Sequence, residues 1–557
     1  MTLNANSLKE QVQRQRREAE ENDAKRRAQK LGLPYMNLIS ATVPTEIKAL
    51  ALVPEADAKK ALIAPLQLVK KTLIVAVFDS EKPETKAILE ELKKKFEVKV
   101  VVSSMTSITH VWSYYQYIVK EREISGRIEI NEERLKNFEA TIHSLEDLEK
   151  NIRDFKSPYT TEILEIILSG AMALHASDIH FEPVEHAGTL RLRIDGLLHS
   201  VYNGFTPHAY ELLVTRVKLL SNLKLNIRDK PQDGRFTIEL KDRAIEIRTS
   251  IIPSEYGETG VLRLLDPQSL KVNLEELGWR TDDLLIAQQA IQKPNGLILN
   301  TGPTGSGKTT TLYAFLRYVQ KPEIKIITVE DPIEYHLPGI SQTQVDPDAG
   351  YTFASGLRSI LRQDPNIILI GEIRDKETAE IALNASLTGH LVFSTLHTND
   401  AVGAIPRLLD LDIKGNIVGP SLSLVIAQRL VRTLCAHCKV KREIDETLKK
   451  KIDAFIAALP ARVEKAAYAA PTLFEARGCA ECGNLGYRGR TSIFELFPIT
   501  NEIEEAIYKN PTEIELTRLA KQTGMVTMQE DGVLKTLQGI TTFDEVERLT
   551  GLITWSV

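Results

Sequence analysis

Gly302-Pro303-Thr304-Gly305-Ser306-Gly307-Lys308-Thr309-Thr310 follows the apolar run Leu297-Ile298-Leu299 and leads into Leu312-Tyr313-Ala314-Phe315-Leu316, a strand, a glycine loop and a helix in chain order. The loop has the GxxxxGK[ST] spacing of a P-loop. Its glycines let consecutive backbone N–H groups turn inward on phosphate oxygens, and the start of the next helix adds its positive dipole end. Lys308 is placed to reach the β and γ oxygens of a nucleotide, and Thr309 to reach Mg²⁺. A glycine-rich turn also arises by chance in plain loops, but the complete spacing between strand and helix argues for the phosphate site. ATP and Mg²⁺ are the expected ligands of Gly302 to Thr310.

Around this loop, residues from Leu274 to about Leu430 alternate strand-like segments (Gly296 to Asn300, Lys325 to Glu330, Ile367 to Ile370, Leu391 to Ser394) with helical stretches. That is the pattern of a parallel sheet covered on both faces, whose ligands bind at the strand ends. Phosphoryl transfer to water also needs a metal, a group that orients the water, and positive charge on the transferring group. Two strands end in carboxylates, Glu330-Asp331-Pro332-Ile333-Glu334 and Gly371-Glu372-Ile373-Arg374-Asp375. Glu372 is expected to hold Mg²⁺ together with Thr309, and Glu334 to orient the water. A third strand is bracketed by His390 and His397, a pair expected to sense the γ-phosphate.

A chain of 557 residues exceeds what one core supports, and 43% hydrophobic residues suffice for several. Net charge is −5, too near neutral for wholesale wrapping of nucleic acid. No apolar run of about 18 residues is present and Met1 to Lys30 is polar, so a cytoplasmic protein is expected. Residues 1–30 read as a charged helix or arm, either mobile or bound to a partner. Residues 31–117 read as an α/β domain, with Thr72 to Phe78 and Val98 to Val102 as strands and Glu84 to Phe96 amphipathic. Residues 118–157 interleave charges and read as a helical or flexible linker. Residues 158–270 alternate with period two and read as a mixed α+β domain. The P-loop domain is assigned to 271–432, a cysteine element to 433–490 and a helical subdomain to 491–557.

All four cysteines lie in that one element, as Cys435-Ala436-His437-Cys438 and Cys479-Ala480-Glu481-Cys482. Two CxxC knuckles supply the four thiolates of a structural Zn²⁺ site. A redox dithiol pair is the alternative, and His437 is a spare ligand. Glu446 to Leu459, closed by Pro460, is expected as a helical insert between the knuckles.

The P-loop, the Glu330 to Glu334 box, Leu369-Ile-Gly-Glu-Ile-Arg-Asp375, Thr388 to Asn399 and Ser177-Asp-Ile-His-Phe-Glu-Pro183 together resemble the secretion ATPases of type II secretion and type IV pilus assembly. The resemblance covers roughly Pro158 to Leu496 strongly and Leu31 to Tyr117 more loosely. It implies an α/β multidomain protein with a RecA-like P-loop core, and a homo-hexameric ring motor. It further implies work through a polytopic inner-membrane platform protein and a cytoplasmic adaptor, at the inner face of the plasma membrane and touching the membrane only through partners. By the same resemblance catalytic arginines come from the preceding domain, at Arg248 and Arg263, with Arg193 and Arg235 as neighbours; guanidinium groups fork onto phosphate oxygens. A tetracysteine zinc element belongs to the same pattern. Thr259-Gly260 departs from it and puts the strand geometry beside Arg263 in doubt. A DNA-transferring ring ATPase and a nucleotide-gated scaffold are the other readings; no direct nucleic-acid contact is expected. Cyclic di-GMP binding is not assigned, because no glycine- and leucine-rich repeat of that type precedes Leu31.

Overall fold

The computed structural model describes residues 3–39, 45–117, 127–129, 137–138, 140–155, 160–240, 243–267 and 272–555. They form two compact units, Met1–Leu265 and Asp266–Val557. Among the described residues no helix is long and apolar enough to cross a membrane.

The first unit begins with a helix, Leu3–Leu31, whose Ala24 and Ala28 are buried, Ala28 in the same core as Leu50 and Val75. Glu21 accepts a hydrogen bond from Ser104 Oγ at 2.6 Å. Glu21, Ala24 and Ala28 thus tie this part of the helix to its own chain. Strands β1 (Ile63–Val69), β2 (Thr72–Val77) and β3 (Glu97–Val102) make a three-stranded sheet in that order, with β1 antiparallel and β3 parallel to β2.

A seven-stranded sheet comes next, in the order β4-β8-β9-β10-β5-β6-β7. Its strands are β4 (Arg127–Glu129), β5 (Asp178–Val184), β6 (Ala187–Ile194), β7 (Leu197–Phe205), β8 (Gln232–Glu239), β9 (Ala244–Ser254) and β10 (Gly257–Leu265). Alternation sends Ile179, Leu192, Phe236, Ile247 and Leu262 to the buried face and leaves charged residues on the other. The linker reading of 118–157 needs correction here. Arg127 to Glu129 pairs with β8, and helix Leu145–Asp154 buries Leu148 and Ile152. Two apolar side chains one helical turn apart are enough to dock a helix that its charges made look solvated. The strand around Thr259-Gly260 is regular, paired on both sides, and a Cβ at Gly260 would meet Ile251 Cδ1 at 2.9 Å.

The second unit is built on a sheet ordered β13-β12-β14-β15-β11-β16-β19. Its strands are β11 (Gly296–Thr301), β12 (Ile326–Glu330), β13 (Ser341–Gln344), β14 (Ile367–Ile370), β15 (Leu391–Leu396), β16 (Leu422–Leu434) and β19 (Tyr487–Pro498). Every pairing is parallel except β16 with β19. Leu297 and Leu299 enter one hydrophobic core and Ile298 the other, so helices cover both faces.

The boundaries at 433 and 491 also need correction. β16 and β19 run through them as one long hairpin-like ladder, from Leu424 paired with Pro498 to Leu434 paired with Tyr487. Between these strands lie β17 (Val440–Arg442), the helix Glu446–Ala458 and β18 (Leu473–Glu475). The helix packs Ile452 and Phe455 against Val533, Leu534 and Leu537 of the C-terminal helix Met528–Leu537. Neither piece is large enough to bury its apolar face alone, so they share a core.

Candidate functional site

The P-loop leaves the C-terminal end of β11 and enters the helix Lys308–Val319. Gly302, Gly305 and Gly307 take φ of 149°, 80° and 91°, a region that side chains rarely enter. Open space surrounds the Cβ position of Gly305, whereas Gly302 and Gly307 are crowded from behind by Gln428. Gln428 Oε1 accepts from Asn300 Nδ2 at 3.0 Å and from Thr311 Oγ1 at 2.8 Å, and its Nε2 donates to Ser492 Oγ at 3.0 Å. One buried amide therefore joins the strand before the loop to the helix after it. No sequence motif announces Gln428, which is more than a hundred residues away on β16.

Lys308 Nζ donates to the carbonyls of Gly302 at 2.7 Å and Pro303 at 3.1 Å. Burial pushes its pKa down to about 8, against the opposing pull of Glu372 and with Arg429 adding to the fall. Among the described residues the half-buried ammonium is held by carbonyls alone and the buried Ser306 Oγ has no hydrogen-bond partner, which fits a loop shaped for a bound anion.

The strands align their ends beside this loop. Thr301 pairs with Leu396, and Ile370 with both Ser394 and Val329. A cavity of about 140 Å³ is lined there by Thr309, Tyr313, Glu330, Glu334, Glu372 and His397, among others. Glu372 pairs with Arg374, and His397 Nε2 lies 3.5 Å from its Oε2. Glu330 is buried and accepts hydrogen bonds from Tyr313, from Thr328 Oγ1 at 2.5 Å and from Gln342 Nε2 at 3.1 Å. Tyr313 and Glu330 thus form a wall of the cavity, a role hidden in sequence because each reads as an ordinary buried helix or strand position.

His390 is not at the site, which corrects its pairing with His397. The two residues bracket a six-residue strand and so stand at opposite ends of it, roughly 20 Å apart at about 3.3 Å per residue. His390 Nδ1 contacts Ala385 O at 3.0 Å beside the start of β11.

In the first unit the four arginines fall into one transverse row. Arg235 pairs with Arg248, Arg248 with Arg263, Arg263 with Asp178, and Asp178 with Arg193, crossing five strands. Directly paired residues share a face, so this face presents four guanidinium groups. Asp178, buried, receives Arg263 Nε at 2.8 Å and lies 3.4 Å from Arg193 Nε.

The four cysteine Sγ atoms all lie within 4.8 Å of one another. Cys435 and Cys479 are 3.9 Å apart, Cys438 and Cys482 3.8 Å, and Cys479 and Cys482 3.8 Å. Four sulfurs at about 2.3 Å from a tetrahedral Zn²⁺ would stand near 3.8 Å from each other, whereas a disulfide needs about 2.05 Å. Backbone N–H groups point at the sulfurs, from Gly478 to Cys438 at 3.3 Å and from Gly486 to Cys482 at 3.2 Å, as thiolate ligands require. The cluster is compatible with zinc.

Residues 155–548 match the family model described as Type II/IV secretion system protein, and residues 31–121 match the MshEN domain. The chain is 47% identical to Type II secretion system protein E of Pseudomonas aeruginosa, over 70% of this chain and 75% of that protein. It is 37% identical to the type IV pilus assembly ATPase PilB of Myxococcus xanthus, over 92% of this chain and 88% of that protein. Among solved structures, the Legionella pneumophila ATPase DotB shares the fold, with a TM-score of 0.50 at 21% identity, covering 72% of this chain and 98% of that one.

Proposed function

The chain belongs to the Type II/IV secretion system protein family, and from that premise we propose that it is an ATP-hydrolysing ring motor that drives assembly of a type IV pilus or a type II secretion pseudopilus. The observation that carries the reading is the cavity in which Thr309, Glu334, Glu372 and His397 meet beside Lys308.

In this proposal the backbone of Gly302 to Thr310 cradles the phosphates and Lys308 neutralises the β and γ oxygens. Thr309 and Glu372 hold Mg²⁺, which spreads the negative charge of the transferring group. Glu334 orients the attacking water, and His397 responds to the γ-phosphate through Glu372. Arg248 and Arg263, supported by the same row of guanidinium groups, supply further positive charge to the reaction. Cys435, Cys438, Cys479 and Cys482 hold a structural Zn²⁺ that orders the lobe between β16 and β19. The working form is a homo-hexamer in the cytoplasm, docked on a polytopic inner-membrane platform protein and an adaptor. Of the domain divisions expected from sequence, 31–117 is retained, and the mixed domain assigned to 158–270 is extended back to take in Arg127–Glu129 and Leu145–Asp154.

Two substitutions test the hydrolytic site. Lys308→Ala should abolish ATP hydrolysis, and Glu334→Gln should lower kcat by roughly a hundredfold while ATP still binds. A wild-type rate in either variant would remove the site assignment.

A further inference from the structure

β19 reads Ile493-Phe494-Glu495-Leu496-Phe497, one carboxylate in an apolar strand. Glu495 is 4% exposed and, among the described residues, forms no ion pair. It accepts two backbone N–H groups, from Ala401 at 2.8 Å and from Met528 at 3.2 Å. Burying a carboxylate outside an ion pair is costly, and an apolar residue in its place would leave two buried N–H groups unsatisfied. A residue of this kind is explained by what it holds.

What it holds is the loop after β15. His397 begins that loop, 3.5 Å from Glu372. Thr398 N–H donates to Thr301 Oγ1 at 2.8 Å, on the residue just before the P-loop. Asn399 O accepts from Arg429 Nη2 at 2.9 Å, and Arg429 Nη1 donates to Gln428 O at 3.0 Å on β16. Ala401 is held by Glu495, and the second oxygen of Glu495 reaches the first turn of Met528–Leu537. The loop is therefore pinned to the strand end before the P-loop by one tie, to β16 by a second and, through Glu495, to the C-terminal helix by a third.

We propose that Glu495 is a positioning residue for phosphoryl transfer. Through the Ala401 N–H it holds the loop that sets His397 at Glu372, and through the Met528 N–H it ties that loop to the C-terminal helix. The inference rests on the hydrolytic reading above. The charged groups that face Glu495 are Asp400 from the loop, Glu530 from the helix and Arg429 from β16. Burial, with Asp400 and Glu530 adding to it, raises the Glu495 carboxyl to about 7 against the two backbone hydrogen bonds, so the geometry can be titrated near neutrality.

In the full-length protein, Glu495→Gln keeps the size of the side chain but turns an NH₂ toward one of the two N–H donors. Its kcat should fall roughly tenfold with KM for ATP within about twofold of wild type, and the acid limb of the wild-type kcat profile near pH 7 should be absent. A wild-type kcat, or an acid limb that survives in the variant, overturns the proposal. A second measurement needs no variant: after correction for the intrinsic rate, protection of the Ala401 amide from exchange should drop several-fold between pH 8 and pH 6. Equal protection at the two pH values also overturns it. Lys308→Ala assayed in parallel separates the two claims. If it is inactive while Glu495→Gln matches wild type, only the role of Glu495 falls; if it matches wild type, the hydrolytic reading falls and takes this inference with it.

Discussion

Replacing Cys479 by Ser removes one of four sulfurs that lie within 4.8 Å of one another, three pairs of them 3.8 to 3.9 Å apart, spacings that suit a tetrahedral ion. Cys435 and Cys479 are 44 positions apart, so the site is assembled only when the chain folds and the ion would bind the folded lobe alone. Binding to the folded state alone makes the binding free energy a folding free energy, on the order of 10 kcal/mol for a structural Zn²⁺ site near neutral pH. Losing the ion should therefore lower the stability of the lobe by several kcal/mol, since three thiolates retain it poorly. Trp555 is the reporter, because it stands edge-on to Phe455 and Phe543 in the core that the insert helix shares with the C-terminal helices. In a chain with Trp112 and Trp279 replaced by Phe, denaturant unfolding followed by Trp555 emission should show the loss, and metal analysis should fall from one zinc per chain to none. Wild-type protein that is folded and free of metal, or a Cys479→Ser lobe within about 1 kcal/mol of wild type, would refute the reasoning.

Glu545 offers a pH-dependent counterpart. Burial opposes its charge, but hydrogen bonds from Arg432 and Arg548 outweigh it and hold the carboxyl at about 2. Because the folded pKa lies below the usual 4.5, the stabilisation is complete above about pH 4.5 and is lost as pH falls toward 2. A shift of that size corresponds to roughly 3 kcal/mol, so Glu545→Gln should destabilise the second unit by about 2 to 3 kcal/mol at pH 7 and by much less at pH 3, read from denaturant midpoints. The two histidines separate by position: His397→Ala should lower kcat for ATP at least tenfold, whereas His390→Ala should leave it within about twofold. Equal losses in both would contradict their placement at opposite ends of β15.

Much of the second unit was legible because its signals are local. Gly302 to Thr310 carries its own chemistry, and the runs at Leu297, Ile326, Ile367 and Leu391 are apolar enough to demand a sheet buried on both faces. The positions of Glu334 and Glu372 beside the cavity were legible for the same reason, since a carboxylate just past the end of such a strand must emerge near the loop. Failures came where local charge stood for exposure. Leu145–Asp154 looks solvated residue by residue, yet Leu148 and Ile152 dock it. His390 was grouped with His397 because the two bracket one strand in sequence, although that strand's length is what separates them.

The sequence by itself determined the phosphate loop, the parallel α/β core, the two cysteine knuckles and which residue types could serve phosphoryl transfer. These are properties of short segments, where spacing alone dictates backbone geometry or ligand number. Only the tertiary structure decided that Arg235, Arg248, Arg263 and Arg193 form one row across five strands, that Gln428 braces the P-loop from behind, and that Glu495 holds the loop bearing His397. Each depends on strand register between segments far apart in the chain, and register is set by which faces must be buried together, a condition that no single segment contains.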